Sequence, residues 1–142
     1  MMYPSLLNGI IQRNSLADDA AIATHLRSLQ PYAKDLWQSY KTDNVIVDYA
    51  DPKTQEAYLL RYFPFYCGPL YQEMKHLHHG GCALPNVELL DAVFFGCGPG
   101  PEVIALMRHL IEVKSPTTMI SAQLIDSAAA TWAYSRDIVL ET

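Results

Sequence analysis

The sequence predicts an α/β fold in which an all-helical N-terminal segment, residues 1–86, leads into a parallel β-α-β-α unit over residues 87–142. Two observations carry the prediction. In the first stretch apolar residues recur at helical spacing, whereas the second holds two short apolar runs, Asp91–Phe95 and Met119–Ile125, with an amphipathic helix between them. The order strand, helix, strand, helix implies parallel strands joined by a crossover.

The helical segment is read from its stripes and breaks. Leu16, Ile22, Leu26 and Leu29 keep one face between Ser15 and Lys41, and Pro31 suits the first turn of a second helix carrying Leu36, Trp37 and Tyr40. Asn44–Tyr49, NVIVDY, is short and β-branched and reads as a strand or an extended linker, after which Asp51-Pro52 opens a new helix. That helix runs to Tyr62, breaks at Phe63-Pro64, and resumes from Phe65 to His78 before Gly80-Gly81 ends it. Tyr58, Tyr62, Phe63, Phe65, Tyr66 and Tyr71 are expected to pack these helices onto a sheet.

In the second half, DAVFF is too short for a helix and is stopped by glycine, which marks a buried strand. Pro101–Val113 carries Val103, Ile104, Leu106, Met107, Leu110 and Ile111 on an apolar stripe, and Ser115-Pro116 ends it. After the second strand, Ser127 is placed to cap a helix through Ala128, Ala129, Ala130 and Trp132.

Composition narrows the function classes. Half of the 142 residues are hydrophobic and 18% are charged, which supports an ordinary globular core without staples. The net charge is −5 and no two Lys or Arg residues are adjacent, so the footprint of a phosphate-backbone binder is missing and nucleic acid is not indicated. Cys67, Cys82 and Cys97 are odd in number and form no Cys-x-x-Cys pair, which fits a reducing compartment. The N-terminus lacks a basic region, and no apolar run approaches the roughly 18 to 20 residues that span a bilayer. The expectation is a soluble cytoplasmic protein with no membrane association.

The chemistry-bearing motif is the turn that follows the first strand, Gly96-Cys97-Gly98-Pro99-Gly100-Pro101-Glu102. Glycines at a strand-to-helix turn adopt positive φ and let a ligand approach the backbone closely. The first-turn amides are then expected to face an anion, while Pro101 and Glu102 suit the positive end of the helix dipole. A dinucleotide fingerprint needs Gly-x-Gly-x-x-Gly, but its third glycine is Pro101 here, which makes a NAD-type oxidoreductase the weaker reading.

The run VFFGCGPGPE resembles motif I of class I S-adenosylmethionine-dependent methyltransferases, an apolar strand followed by Gly-x-Gly-x-Gly. The resemblance covers Leu90 to Leu140 and implies an incomplete Rossmann-like methyltransferase unit with S-adenosylmethionine as cofactor. It implies that Gly96, Cys97, Gly98, Pro99 and Gly100 lie against the methionine part of the cofactor, and that Asp126, closing the second strand beside Ser127, holds the ribose hydroxyls. Two ionised oxygens accept from both vicinal hydroxyls, although a cap for the next helix is the plainer role for Asp126 and Ser127. Many members of the family carry an acidic residue where this chain has Phe94, and Glu102 or an upstream tyrosine is the candidate to replace it. The upstream AYLLRYFPFY is similar to cofactor-covering lead-ins, which adds Tyr58, Arg61 and Tyr62, with Arg61 facing the cofactor carboxylate.

The family's third and fourth strands have no counterpart here, which leaves the first strand with an unpaired apolar edge. NVIVDY, a second copy in a homo-oligomer, or a partner subunit completing the sheet would cover it. The alternative to an enzyme is therefore a non-catalytic, methyltransferase-like binding or assembly subunit. Two other groups carry reactive side chains: His76, His78, His79 and Cys82 have metal-ligand chemistry without zinc spacing and equally suit the negative end of a helix dipole, and Cys97 sits where a helix N-terminus lowers a thiol pKa but where a small packing residue also fits.

Overall fold

The computed structural model describes residues 3–42 and 47–141. The fold is mixed: helices α1 (Tyr3–Arg13), α2 (Asp19–Ser28), α3 (Gln30–Ser39), α4 (Pro52–Arg61) and α5 (Phe63–His79) precede strand β1 (Leu89–Phe95), helix α6 (Pro101–Glu112), strand β2 (Met119–Ile125) and helix α7 (Ala133–Glu141). The chain forms two compact units: residues 1–64 with 130–142, and residues 65–129. Helix α5 from Phe65 onward clusters with the sheet, and α7 clusters with the N-terminal helices.

In the helical unit, Asp18 caps α2 by accepting from the Ala21 N–H, and Asp51 caps α4 by accepting from Lys53 N–H, with Pro52 in the first turn as expected. The N-terminal helix α1 escaped the sequence reading, although Leu6 and Ile10 stand one turn apart and are both fully buried. Leu36, Leu59, Phe63 and Ile138 are buried as completely, each worth about 1.5–3 kcal/mol against exposure. The strand or linker expected at Asn44–Tyr49 lies partly outside the described residues, and Tyr49-Ala50 forms a turn.

A buried polar knot fastens this unit. Glu56, 1% exposed, accepts from Asn14 Nδ2 at 2.7 Å and from the Tyr134 hydroxyl, and pairs with His25 Nε2 at 2.6 Å. Beside it, Gln55 Nε2 donates to the carbonyls of Tyr49 and Thr131, and its Oε1 accepts from the N–H and the hydroxyl of Ser135. These bonds tie α1, α2, α4 and α7 together. Around them the aromatic rings pack on one another: Tyr58 stands 4.9 Å from Trp132 and 5.6 Å from Tyr62, which in turn stands 5.0 Å from Tyr40.

In the sheet unit, β1 and β2 pair in parallel from Leu89 opposite Met119 to Phe95 opposite Ile125. The even positions turn toward α6, where Leu124 meets Gly100 and Ile120 shares a cavity wall with Met107 and Leu110. The odd positions face away, and Leu89, Val93, Phe95, Met119 and Ile125 are exposed. Helices α5 and α6 are linked by Arg108 over the Tyr71 ring at 4.2 Å, by Lys75 to Glu112 at 2.5 Å, and by His78 against His109. The last expected helix begins later than the sequence suggested: residues 127–132 are turns, since Asp126 takes the Ala128 N–H into a local turn, and α7 starts at Ala133. Among the described residues no helix is long and apolar enough to cross a membrane.

Candidate functional site

Strand β1 delivers the chain into the glycine loop, and the three glycines there all have positive φ: +62° at Gly96, +50° at Gly98 and +90° at Gly100. This left-handed region disfavours L side chains, so the residue type is set by the backbone. A Cβ placed on Gly96 meets nothing within 4 Å, which leaves that side of the loop open, whereas one on Gly100 would touch Leu124 at 3.4 Å. Gly100 is also the N-cap of α6, and Pro101 follows in the first turn.

Asp126 stands at the tip of β2 beside this loop. The Gly98 N–H donates to Asp126 Oδ2 at 2.8 Å, and the Ala128 N–H donates to Oδ1 at 2.8 Å. The two halves of the sequence motif, 28 residues apart, are thus joined directly. Ser127 caps no helix and is exposed in the turn.

The expectation that loop amides face an anion is corrected by the hydrogen bonds. Gly96 N–H donates to Ile125 O at 2.7 Å, Gly98 N–H to Asp126, Gly100 N–H to Cys97 O at 2.8 Å, and Val103 N–H to Gly100 O at 3.2 Å, while Pro101 has no N–H to give. Residues 97–101 are buried. These four donors are committed, and carboxyl acceptors stand beside them. Glu102, in the first turn of α6, folds onto its own N–H and keeps Oε2 buried without a hydrogen-bond partner. Burial first, and the nearby Asp126 charge second, push the Glu102 carboxyl above its ordinary pKa.

Cys97 is 1% exposed, and burial first and the Glu102 charge next raise its thiol pKa despite the helix N-terminus, which suits a side chain that packs the loop. Arg61 and Tyr62 belong to the helical unit, where the guanidinium stands 5.8 Å from the Tyr62 ring and the Tyr62 hydroxyl is buried without a hydrogen-bond partner. Tyr58 is in the same unit, against Trp132. Among the described residues no group of three His, Cys, Asp or Glu side chains gathers to hold a metal, at His76, His78, His79 and Cys82 or elsewhere.

Comparison with protein-family models, with curated proteins and with solved structures gave no match.

Proposed function

We propose that the sheet unit is the first half of a Rossmann-like methyltransferase fold and that it binds S-adenosylmethionine at Gly96–Gly100, Glu102 and Asp126. The observation that carries the reading is the 2.8 Å bond from Gly98 N–H to Asp126, which brings the glycine loop and the acidic strand tip into one site. The fit rests on donor and acceptor character. Gly96 offers an open face, Glu102 an orphaned buried oxygen, and Asp126 two oxygens with lone pairs beyond their backbone bonds. A site whose three glycine amides are committed and whose free groups include two carboxyls suits a cationic ligand with hydroxyl donors, and repels the pyrophosphate of a dinucleotide.

In this reading Asp126 accepts from the ribose hydroxyls and Glu102 accepts from the amino group. The cofactor supplies an activated methyl when bound, and the chain contributes position and orientation. Calorimetric titration with S-adenosylmethionine tests it: the intact chain binds, and Asp126→Ala and Gly98→Asp each lose at least tenfold in affinity. No heat from the intact chain removes the reading.

The exposed sheet face of Leu89, Val93, Phe95, Met119 and Ile125 favours a second role, an assembly module whose face is covered by a further copy or a partner. Size-exclusion mass measurement separates the two, since an assembly module associates whether or not it binds the cofactor.

A further inference from the structure

A cavity of about 130 Å³ lies where α5 and α6 end, at the opposite end of α6 from the glycine loop. Its polar wall is His78, Asn86, His109 and Lys114 with Ser115, and four aliphatic side chains close the rest. His109 is 1% exposed, and its Nδ1 is buried with no hydrogen-bond partner. An orphaned buried nitrogen of this kind is uncommon in a folded protein. His78 stands against it at 5.6 Å between ring centroids, and His79 stands 6.0 Å from His78.

The electrostatics of the wall are one-sided. Burial, then the positive charges of His78, His79 and Lys75, hold the His109 imidazole below its ordinary pKa, and no acidic group opposes them in that balance. Glu112 is bonded to Lys75. Lys114, in a left-handed conformation at φ +52° just past α6, adds a further cation to the wall.

Helix C-termini ordinarily attract cations through their free carbonyls, but these ends are closed. The N–H groups of Val113, Ser115 and Lys114 donate to the carbonyls of His109, Leu110 and Ile111, and those of Gly80, Cys82 and Gly81 donate to His76, Leu77 and His78. A metal is disfavoured as well, since no three ligand side chains converge among the described residues. An anion is the species that pairs with these cations and gives the His109 ring a partner. The room fits one: at a water's share of about 30 Å³, the cavity holds roughly four waters, the space of a tetrahedral oxyanion.

We infer that this cavity is a binding site for a phosphate group, with His78, His109 and Lys114 as charge partners and the Asn86 amide as a further donor. Ser115 contributes shape only, because its hydroxyl already donates to Thr117 Oγ1 and accepts from the Thr117 N–H. The assignment is independent of S-adenosylmethionine binding. The phosphate is either free or the terminal group of an ester, and both present the same dianion to the wall.

The test is titration of the full chain with inorganic phosphate and, separately, with glycerol phosphate, followed by calorimetry and by the imidazole resonances of the histidines. Binding in the millimolar range or tighter is expected from at least one probe, and the His109 ring then takes up a proton at higher pH than without it. Lys114→Met, at an exposed position, and His78→Asn each weaken binding at least threefold while leaving the circular dichroism unchanged. His109→Gln weakens it at least tenfold. Binding of the ester alone identifies an esterified phosphate as the ligand. Failure of both probes at millimolar concentration overturns the inference, and so does binding that survives Lys114→Met and His78→Asn unchanged.

Discussion

Asp126→Asn is the most direct probe of the loop that β1 and β2 hold between them. The carboxylate accepts two backbone N–H bonds of 2.8 Å, one from Gly98 and one from Ala128. An Asn side chain has one acceptor oxygen, so one of the two amides must face an NH₂ group instead. A hydrogen bond to a charged group is worth about 1.5–3 kcal/mol, and about 2 kcal/mol corresponds to roughly a 30-fold change at 1.36 kcal/mol per factor of ten. Amide hydrogen exchange followed by nuclear magnetic resonance reads this residue by residue. The expected result is that Gly98 or Ala128 exchanges roughly 30-fold faster in Asp126→Asn, while Val93 and Gln123 in mid-strand change far less. If both amides stay within about twofold of the unsubstituted chain, Asp126 does not hold the loop and the joined site dissolves.

Four further outcomes follow from the same coordinates. Gly96, at φ +62°, lies in the left-handed well that an Ala enters at about 1–2 kcal/mol, whereas Gly100, at φ +90°, lies well outside it, so denaturant unfolding should rank Gly100→Ala as the costlier of the two. Glu56→Ala strands His25, Asn14 and Tyr134 at a buried position and should cost about 3–5 kcal/mol, read by fluorescence because Trp37 and Trp132 both lie in the helical unit. Burial, and next the bond to Glu56, push the Tyr134 phenol up to about 12; folding thus favours its protonated form, and this stabilisation, complete below pH 10, is lost as pH rises from about 10 to 12. Unfolding curves of the unsubstituted chain and Tyr134→Phe that stay parallel across that window would refute it. A thiol reagent followed by mass spectrometry should label exposed Cys82 quickly and buried Cys67 and Cys97 slowly, because burial raises both of the latter thiols.

What could be read from the sequence was what the backbone imposes locally. Positive φ at residues 96, 98 and 100 demands glycine, so the loop was legible from residue type alone. The strand-helix-strand order emerged because two short apolar runs flank a full apolar stripe, and β2 matches its expected span residue for residue. Long-range partnering was not legible. Thr54-Gln55-Glu56 reads as the solvated start of a helix, yet all three are buried, since their partners lie up to 80 residues away at Tyr134 and Ser135. The amide donors of the loop were misjudged for the same reason: a glycine pattern shows that N–H groups are presented, and only the pairing of β1 with β2 shows that Ile125 and Asp126 take two of them.

The helical unit is interrupted in sequence by the whole sheet unit, and this sets an order on its assembly during synthesis. While residues 65–129 emerge, α1, α2 and α4 already hold Gln55 and Glu56, but Tyr134 and Ser135 have yet to be made. The nascent helices therefore wait with a carboxyl and an amide half-matched, a situation that keeps them loose until α7 arrives and locks them in one late step. The sheet unit is contiguous and is free to fold first, so ribosome-stalled chains ending before α7 should resist proteolysis in residues 65–129 and remain cleavable in α1 to α4.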